Sequence, residues 1–77
     1  MEEKYKTKDL AEAAALIVKK QVLMEIEREG KTCWFVFTNK KVCEEITNQF
    51  FFGELVANVR EYYEVLNRLK NRIFSKE

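Results

Sequence analysis

The stretch VLMEIEREGKTCWFVFT, residues 22–38, decides the fold. VLMEIER (22–28) and TCWFVFT (32–38) are rich in β-branched and aromatic residues, which suit a pleated, half-buried surface. Glu29-Gly30-Lys31 joins them and supplies a glycine for a tight turn. The pattern predicts an antiparallel β-hairpin. A two-residue loop at Glu29-Gly30 sets Ile26 opposite Cys33, Met24 opposite Phe35 and Val22 opposite Phe37, all apolar and all on one face. The other face then holds Glu27 with Thr32, Glu25 with Trp34 and Leu23 with Val36. A rival register, a type I turn with Gly30 in a left-handed bulge, pairs Leu23 with Phe35 and Glu25 with Cys33. It carries charge onto the core face, which burial penalises, so the first register is favoured. Trp34, Leu23 and Val36 are then expected on the side away from Phe35 and Phe37, leaving the sheet apolar on both faces.

Outward from the hairpin, three segments read as helices. TKDLAEAAALIVKK (7–20) has Thr7 as a cap and Asp9 in the first turn, with Lys19 and Lys20 in the last. Leu10, Ala13, Ala14 and Ile17 form its apolar face, with Lys8, Glu12 and Lys19 opposite. Residues 40–51 form a second helix, capped by Asn39 or Thr38 and ended by Gly53, with Val42, Cys43, Ile46 and Phe50 inward. The last helix begins at Glu54 or at Asn58; Asn58 followed by Glu61 resembles a capping box and would leave residues 54–57 as a link. Leu55, Val59, Tyr62, Leu66, Leu69 and Ile73 step along it by four and three, the spacing of a packing seam, with Val56, Tyr63 and Phe74 widening the stripe. This helix is expected to lie over the hairpin. The expected architecture is one α+β domain over residues 1–77, in the order α-β-β-α-α. Two strands alone are marginal, so the hairpin is a candidate for extension across a dimer axis into four strands, or for pairing with a partner's strand.

Composition narrows the chemistry. The chain has no histidine, one serine (Ser75) and two glycines, Gly30 and Gly53. A Ser-His-Asp or Cys-His set cannot be assembled, nor a glycine-rich phosphate loop, nor a His/Cys zinc site. No cofactor or metal is expected. Adjacent carboxylates at Glu44 and Glu45, or Glu25 and Glu27, read as solvated surface, and Asp9 as a helix-start residue. The two cysteines, Cys33 and Cys43, are expected to be reduced and packed, since no disulfide framework or secretion signal is visible. No run approaches a membrane span, and a cytoplasmic location is expected. Net charge is +1, so bulk electrostatics give no strong pull toward nucleic acid.

Thr7-x-Asp9-Leu10, Ala13-Ala14 with Leu16, Leu23, Gly30, Phe35-x-Phe37 and Lys70-Asn71-Arg72 together resemble a small domain-of-unknown-function family of bacterial and phage proteins. The resemblance implies a helix–hairpin–helices fold and a mobile-element context, and assigns no activity. The chain departs from it at Lys20, where a glycine is expected to end the first helix.

With apolar and aromatic surface to spare and no catalytic set, the chain is expected to be a non-catalytic protein-interaction module. It would bind a host protein or a second copy of itself as a homodimer. Leu23, Trp34, Val36, Phe51 and Phe52 are the expected contact residues, because aromatic anchors dominate contact energies. In the run Phe50-Phe51-Phe52 successive helical positions diverge by about 100°, so at most two reach one core easily. The favoured reading is that all three wrap the helix end and bury, the other that one is exposed and marks a contact. The alternative is a small nucleic-acid-binding protein using Lys31, Lys40, Lys41, Arg68 and Arg72, with Trp34 beside Lys31 as a stacking platform.

Overall fold

A computed structural model describes residues 3–74. The elements run β1 (Tyr5–Thr7), α1 (Leu10–Val18), β2 (Leu23–Glu29), β3 (Thr32–Phe37), α2 (Lys40–Phe51) and α3 (Val59–Phe74). The α+β class holds, but the sheet has three antiparallel strands in the order β1-β3-β2. The third strand is the chain's own Tyr5–Thr7, which pairs with Phe35–Phe37. Thr7 is therefore a strand residue and not the cap of α1. Asp9 caps instead, its Oδ1 accepting from the Ala11 and Glu12 amides at 2.9 and 3.2 Å.

Neither expected hairpin register is the one adopted. Gly30 and Lys31 form the loop, and Glu29 pairs with Thr32, Arg28 with Cys33, Glu27 with Trp34 and Ile26 with Phe35. Of the two loop residues only Gly30 has positive φ (60°), the sign pattern of a type II′ turn, which asks for glycine first. A bulge at Met24 then lets Leu23 pair with Phe37. That extra residue turns Leu23 from the outer face to the inner one. Leu23, Ile26, Phe35 and Phe37 consequently point toward the helices, with Phe35 and Phe37 fully buried.

Val36 faces away from them yet is also fully buried. Its β1 partner Lys6 reaches across β3 to Glu27, Nζ to Oε1 3.0 Å. The ion pair is a strap over the middle strand, and the lysine's aliphatic stem covers what would otherwise be open apolar surface. It holds the Glu27 carboxyl below its usual range, through the Lys6 hydrogen bond first.

Helix α1 is the hub. Ala13, Ala14, Ala15 and Leu16 are sealed on all sides, because short alanine side chains let the sheet approach one flank while α2 and α3 take the others. The helix therefore buries more than the one face its periodicity indicates. Glu12, expected in solvent, is buried and accepts from three hydroxyls: Tyr5, Thr7 at 2.7 Å and Thr47 at 2.8 Å. One carboxylate thereby ties β1, α1 and α2 together.

The first two helices stop in the same way. Gln21 N–H bonds to Leu16 O and Lys20 N–H to Ile17 O; Glu54 N–H bonds to Gln49 O and Gly53 N–H to Phe50 O. Both are Schellman turns, which require a left-handed residue. Gly53 (φ 72°) meets that need without strain; Lys20 (φ 71°) meets it despite its Cβ. At the start of α2, Asn39 is the cap, its Oδ1 accepting from Val42 N–H at 3.4 Å.

Asn58 caps α3 by accepting from Glu61 N–H at 2.9 Å, leaving 54–57 as a link. The helix lies along α1, where Tyr62 donates to Ala11 O at 3.1 Å, and not over the hairpin. It meets the hairpin only toward its end, where Arg28 donates to Ile73 O at 2.8 Å. Val65 and Leu69 are buried, whereas Val59, Tyr63 and Phe74 are exposed and lie off the packed face.

Candidate interaction surfaces

Three surfaces carry the side chains that sequence reasoning singled out, and one buried cluster carries the reactive groups. The most apolar surface is the turn from α2 into α3. Phe50 is half-buried and packs edge-on to Phe51 with ring centroids 5.7 Å apart. Phe51 and Phe52 are 63% and 78% exposed, and beyond the reversal at Gly53 Val56 and Val59 are 80% and 82% exposed. An open pocket of about 310 Å³ adjoins the turn, walled by Phe50, Leu55, Val59 and Tyr62, while Phe51, Phe52 and Val56 lie outside its lining. Phe51 and Phe52 are two of the contact residues expected from the sequence and are exposed, whereas Val56 and Val59, expected on the packing stripe of α3, are exposed as well. The cap at Asn58 was the signal that both stand at or before the helix start.

The outer face of the sheet holds Trp34 but neither of its expected companions: Val36 is covered and Leu23 is on the other side. Trp34 is half-buried, donates through Nε1 to Glu29 at 3.2 Å, and has Lys8 Nζ 5.8 Å from its ring centroid. The cation over the ring is thus Lys8 and not Lys31. Strand alternation sets Lys6 on this face, flanked by Lys4 and Lys8, at the β1 side, and Glu25, Glu27 and Glu29 at the β2 side.

The third surface is a groove of about 510 Å³ between β2 and α3, lined by Ile17, Leu23, Met24, Ile26 and Leu69 with Arg68 and Arg72 on its helical wall. Leu23 thus belongs to a surface after all, though not to the one expected.

The five basic residues of the nucleic-acid reading do not come together. Lys31 is at the hairpin tip, and Lys40 and Lys41 follow the opposite end of β3, a strand length of about 20 Å away. Lys40 is engaged by Glu3 at 3.4 Å and Glu44 at 4.0 Å. Arg68 and Arg72 line the groove.

The reactive groups sit around Glu12. Burial, then the Glu12 hydrogen bond, pushes the Tyr5 phenol up to about 12. Burial, aided by the Glu12 charge, pushes the Cys43 thiol up to about 11, and the thiol donates to Thr38 O at 3.3 Å. Both groups are held protonated at neutral pH, the opposite of what activates a nucleophile. Every buried side-chain polar atom among the described residues has a partner, so the cluster reads as an internal tie. Among the described residues no three His, Cys, Asp or Glu side chains are grouped to hold a metal ion, and no helix is long and apolar enough to cross a membrane.

The chain belongs to the family described as Domain of unknown function (DUF5659), whose model matches residues 2–75. No curated protein and no solved structure matches it.

Proposed function

We propose that this member of the family is a non-catalytic protein-interaction module, acting in the cytoplasm through the turn from α2 into α3. The observation that carries the reading is the exposure of Phe51, Phe52, Val56 and Val59 within one short stretch of chain. Removing one such side chain from water is worth about 1.5–3 kcal/mol, and a monomeric protein rarely leaves several together uncovered. The occupant is either a second copy, giving a homodimer, or another protein. In the phage or prophage setting that the resemblance implies, that protein belongs to the host. The nucleic-acid alternative loses support from the dispersal of Lys31, Lys40, Lys41, Arg68 and Arg72, since a phosphate backbone needs its cations in one track.

The test is light scattering over a concentration series, with binding of an environment-sensitive hydrophobic dye, on the wild type and on Phe51→Ser/Phe52→Ser. A mass that rises with concentration only in the wild type identifies the homodimer. A wild-type monomer that binds dye, with dye binding lost in the variant, identifies a surface for another protein. A monomer whose dye binding the double substitution leaves unchanged ends the reading.

A further inference from the structure

The open edge of the sheet and the groove beside it form a second, differently built surface. β2 is hydrogen-bonded only to β3, so its other edge presents backbone N–H and C=O groups without a strand partner. The bulge at Met24 breaks the edge at one end and leaves Glu25–Glu29 regular. Beyond that edge lies the 510 Å³ groove, apolar at Ile17, Leu23, Ile26 and Leu69, with Glu25 on its strand side and Asn71 beside the arginines on its helical side. Its helical wall carries Arg68 and Arg72, neither in an ion pair among the described residues. Six other cations are engaged: Lys6 by Glu27, Lys20 by Glu61, Lys40 by Glu3 and Glu44, Arg60 by Glu64, Arg28 by Ile73 O and Lys8 by the Trp34 ring. Lys4, Lys19, Lys31, Lys41 and Lys70 are, like the two arginines, in no ion pair among the described residues, but they do not line the groove.

We propose that the β2–α3 groove takes an extended segment of a partner protein as a fourth strand, with a two-residue alternation set by charge. Residues of that segment facing the helix meet an apolar floor and two guanidinium groups, so they are apolar with one side-chain carboxylate. A carboxylate there is met by donors suited to paired hydrogen bonds. Residues facing outward lie next to Glu25, Glu27 and Glu29, so they are basic. Added main-chain hydrogen bonds give affinity and the alternate side chains give selectivity. The same acidic row disfavours the β2 edge of a second copy, which would set glutamate against glutamate across the new ladder. The inference is independent of the α2–α3 turn.

The probe is a short fluorescein-labelled peptide, blocked at both ends, in which lysine alternates with leucine, valine and one glutamate. A scrambled peptide of the same composition is the comparison. Fluorescence anisotropy is expected to show saturable binding of the alternating peptide, about tenfold weaker for the scrambled one and for Arg68→Gln/Arg72→Gln. Both arginines are exposed, and circular dichroism checks that the variant remains folded. Hydrogen exchange is expected to slow at edge amides within Glu25–Glu29 on binding. Phe51→Ser/Phe52→Ser should leave peptide binding unchanged, which separates this result from that of the other surface. Equal binding of the two peptides, indifference to the arginine substitutions, or no new protection along β2 overturns the proposal.

Discussion

Thr47 on α2 donates a 2.8 Å hydrogen bond to the buried carboxylate of Glu12 on α1, thirty-five positions earlier in the chain. The bond is charge-assisted and closed to water, so its loss strands a carboxylate lone pair in the interior. Thr47→Val keeps the shape of the side chain and removes only the donor. It is expected to cost about 1.5–3 kcal/mol. Urea titration should show the midpoint falling by more than about 1 M with an unchanged slope. A cost within error would mean that the bond is not made in solution.

The same cluster sets an alkaline limit. The unfolded Tyr5 phenol loses its proton near 10, whereas the folded one keeps it to about 12; for Cys43 the values are 9 and about 11. Between those limits the folded chain binds more protons than the unfolded chain, so stability falls as pH rises. These groups contribute little slope below about pH 8 and a growing loss from there to about 12, with Tyr62, also raised by burial, adding to it. Urea midpoints for the wild type and Tyr5→Phe should diverge in slope above pH 10. Parallel curves would remove Tyr5 as the cause.

Lys20 and Gly53 occupy equivalent left-handed positions at two helix ends. A side chain there costs about 1–2 kcal/mol, part of which glycine returns through its greater freedom when unfolded. Lys20→Gly is expected to stabilise the fold by about 0.5–1 kcal/mol despite losing the exposed 3.7 Å contact with Glu61. Gly53→Ala should destabilise by about 1 kcal/mol. Thermal melts read both, at about 4–8 °C per kcal/mol in a domain of this size. Shifts of the same sign in the two variants would contradict the shared geometry.

Phenylalanine position matters more than phenylalanine count. Phe37 is fully enclosed and Phe52 is 78% exposed. Phe37→Ala is expected to cost about 3–5 kcal/mol. Phe52→Ala should stay within about 0.5 kcal/mol in dilute solution, where no partner covers the ring. A large loss at Phe52 would show that its ring is packed, and would weaken the case for a contact surface at the turn.

Patterns confined to one element were legible in the sequence: the hairpin, the span of α2, and the Asn39 and Asn58 caps, each as one of two candidates. The phenylalanine run, favoured to bury whole, instead leaves Phe51 and Phe52 exposed. Features assembled from several elements were not. β1 is a two-residue alternation, Lys4-Tyr5-Lys6-Thr7-Lys8, whose inward pair includes a polar threonine, so Thr7 before Asp9 read as a helix start. The Met24 bulge inverted Leu23, and the placement of Gly30 within its turn moved the register. No helical periodicity would bury Glu12, because its partners Tyr5, Thr7 and Thr47 come from β1 and α2. Val56 and Val59 fit the heptad spacing of α3 but precede or begin it, and spacing alone carries no knowledge of where a helix starts.

Lysines 4, 6 and 8 line one rim of the sheet and glutamates 25, 27 and 29 the other, in a molecule whose charges nearly cancel. Across the outer face of the sheet the two rows form a local dipole, positive at the β1 rim and negative at the β2 rim. That face is expected to give weak retention on cation- and anion-exchange resins alike at neutral pH, each resin meeting a different rim. Dissolved salt, by screening over about a Debye length, erases both affinities together.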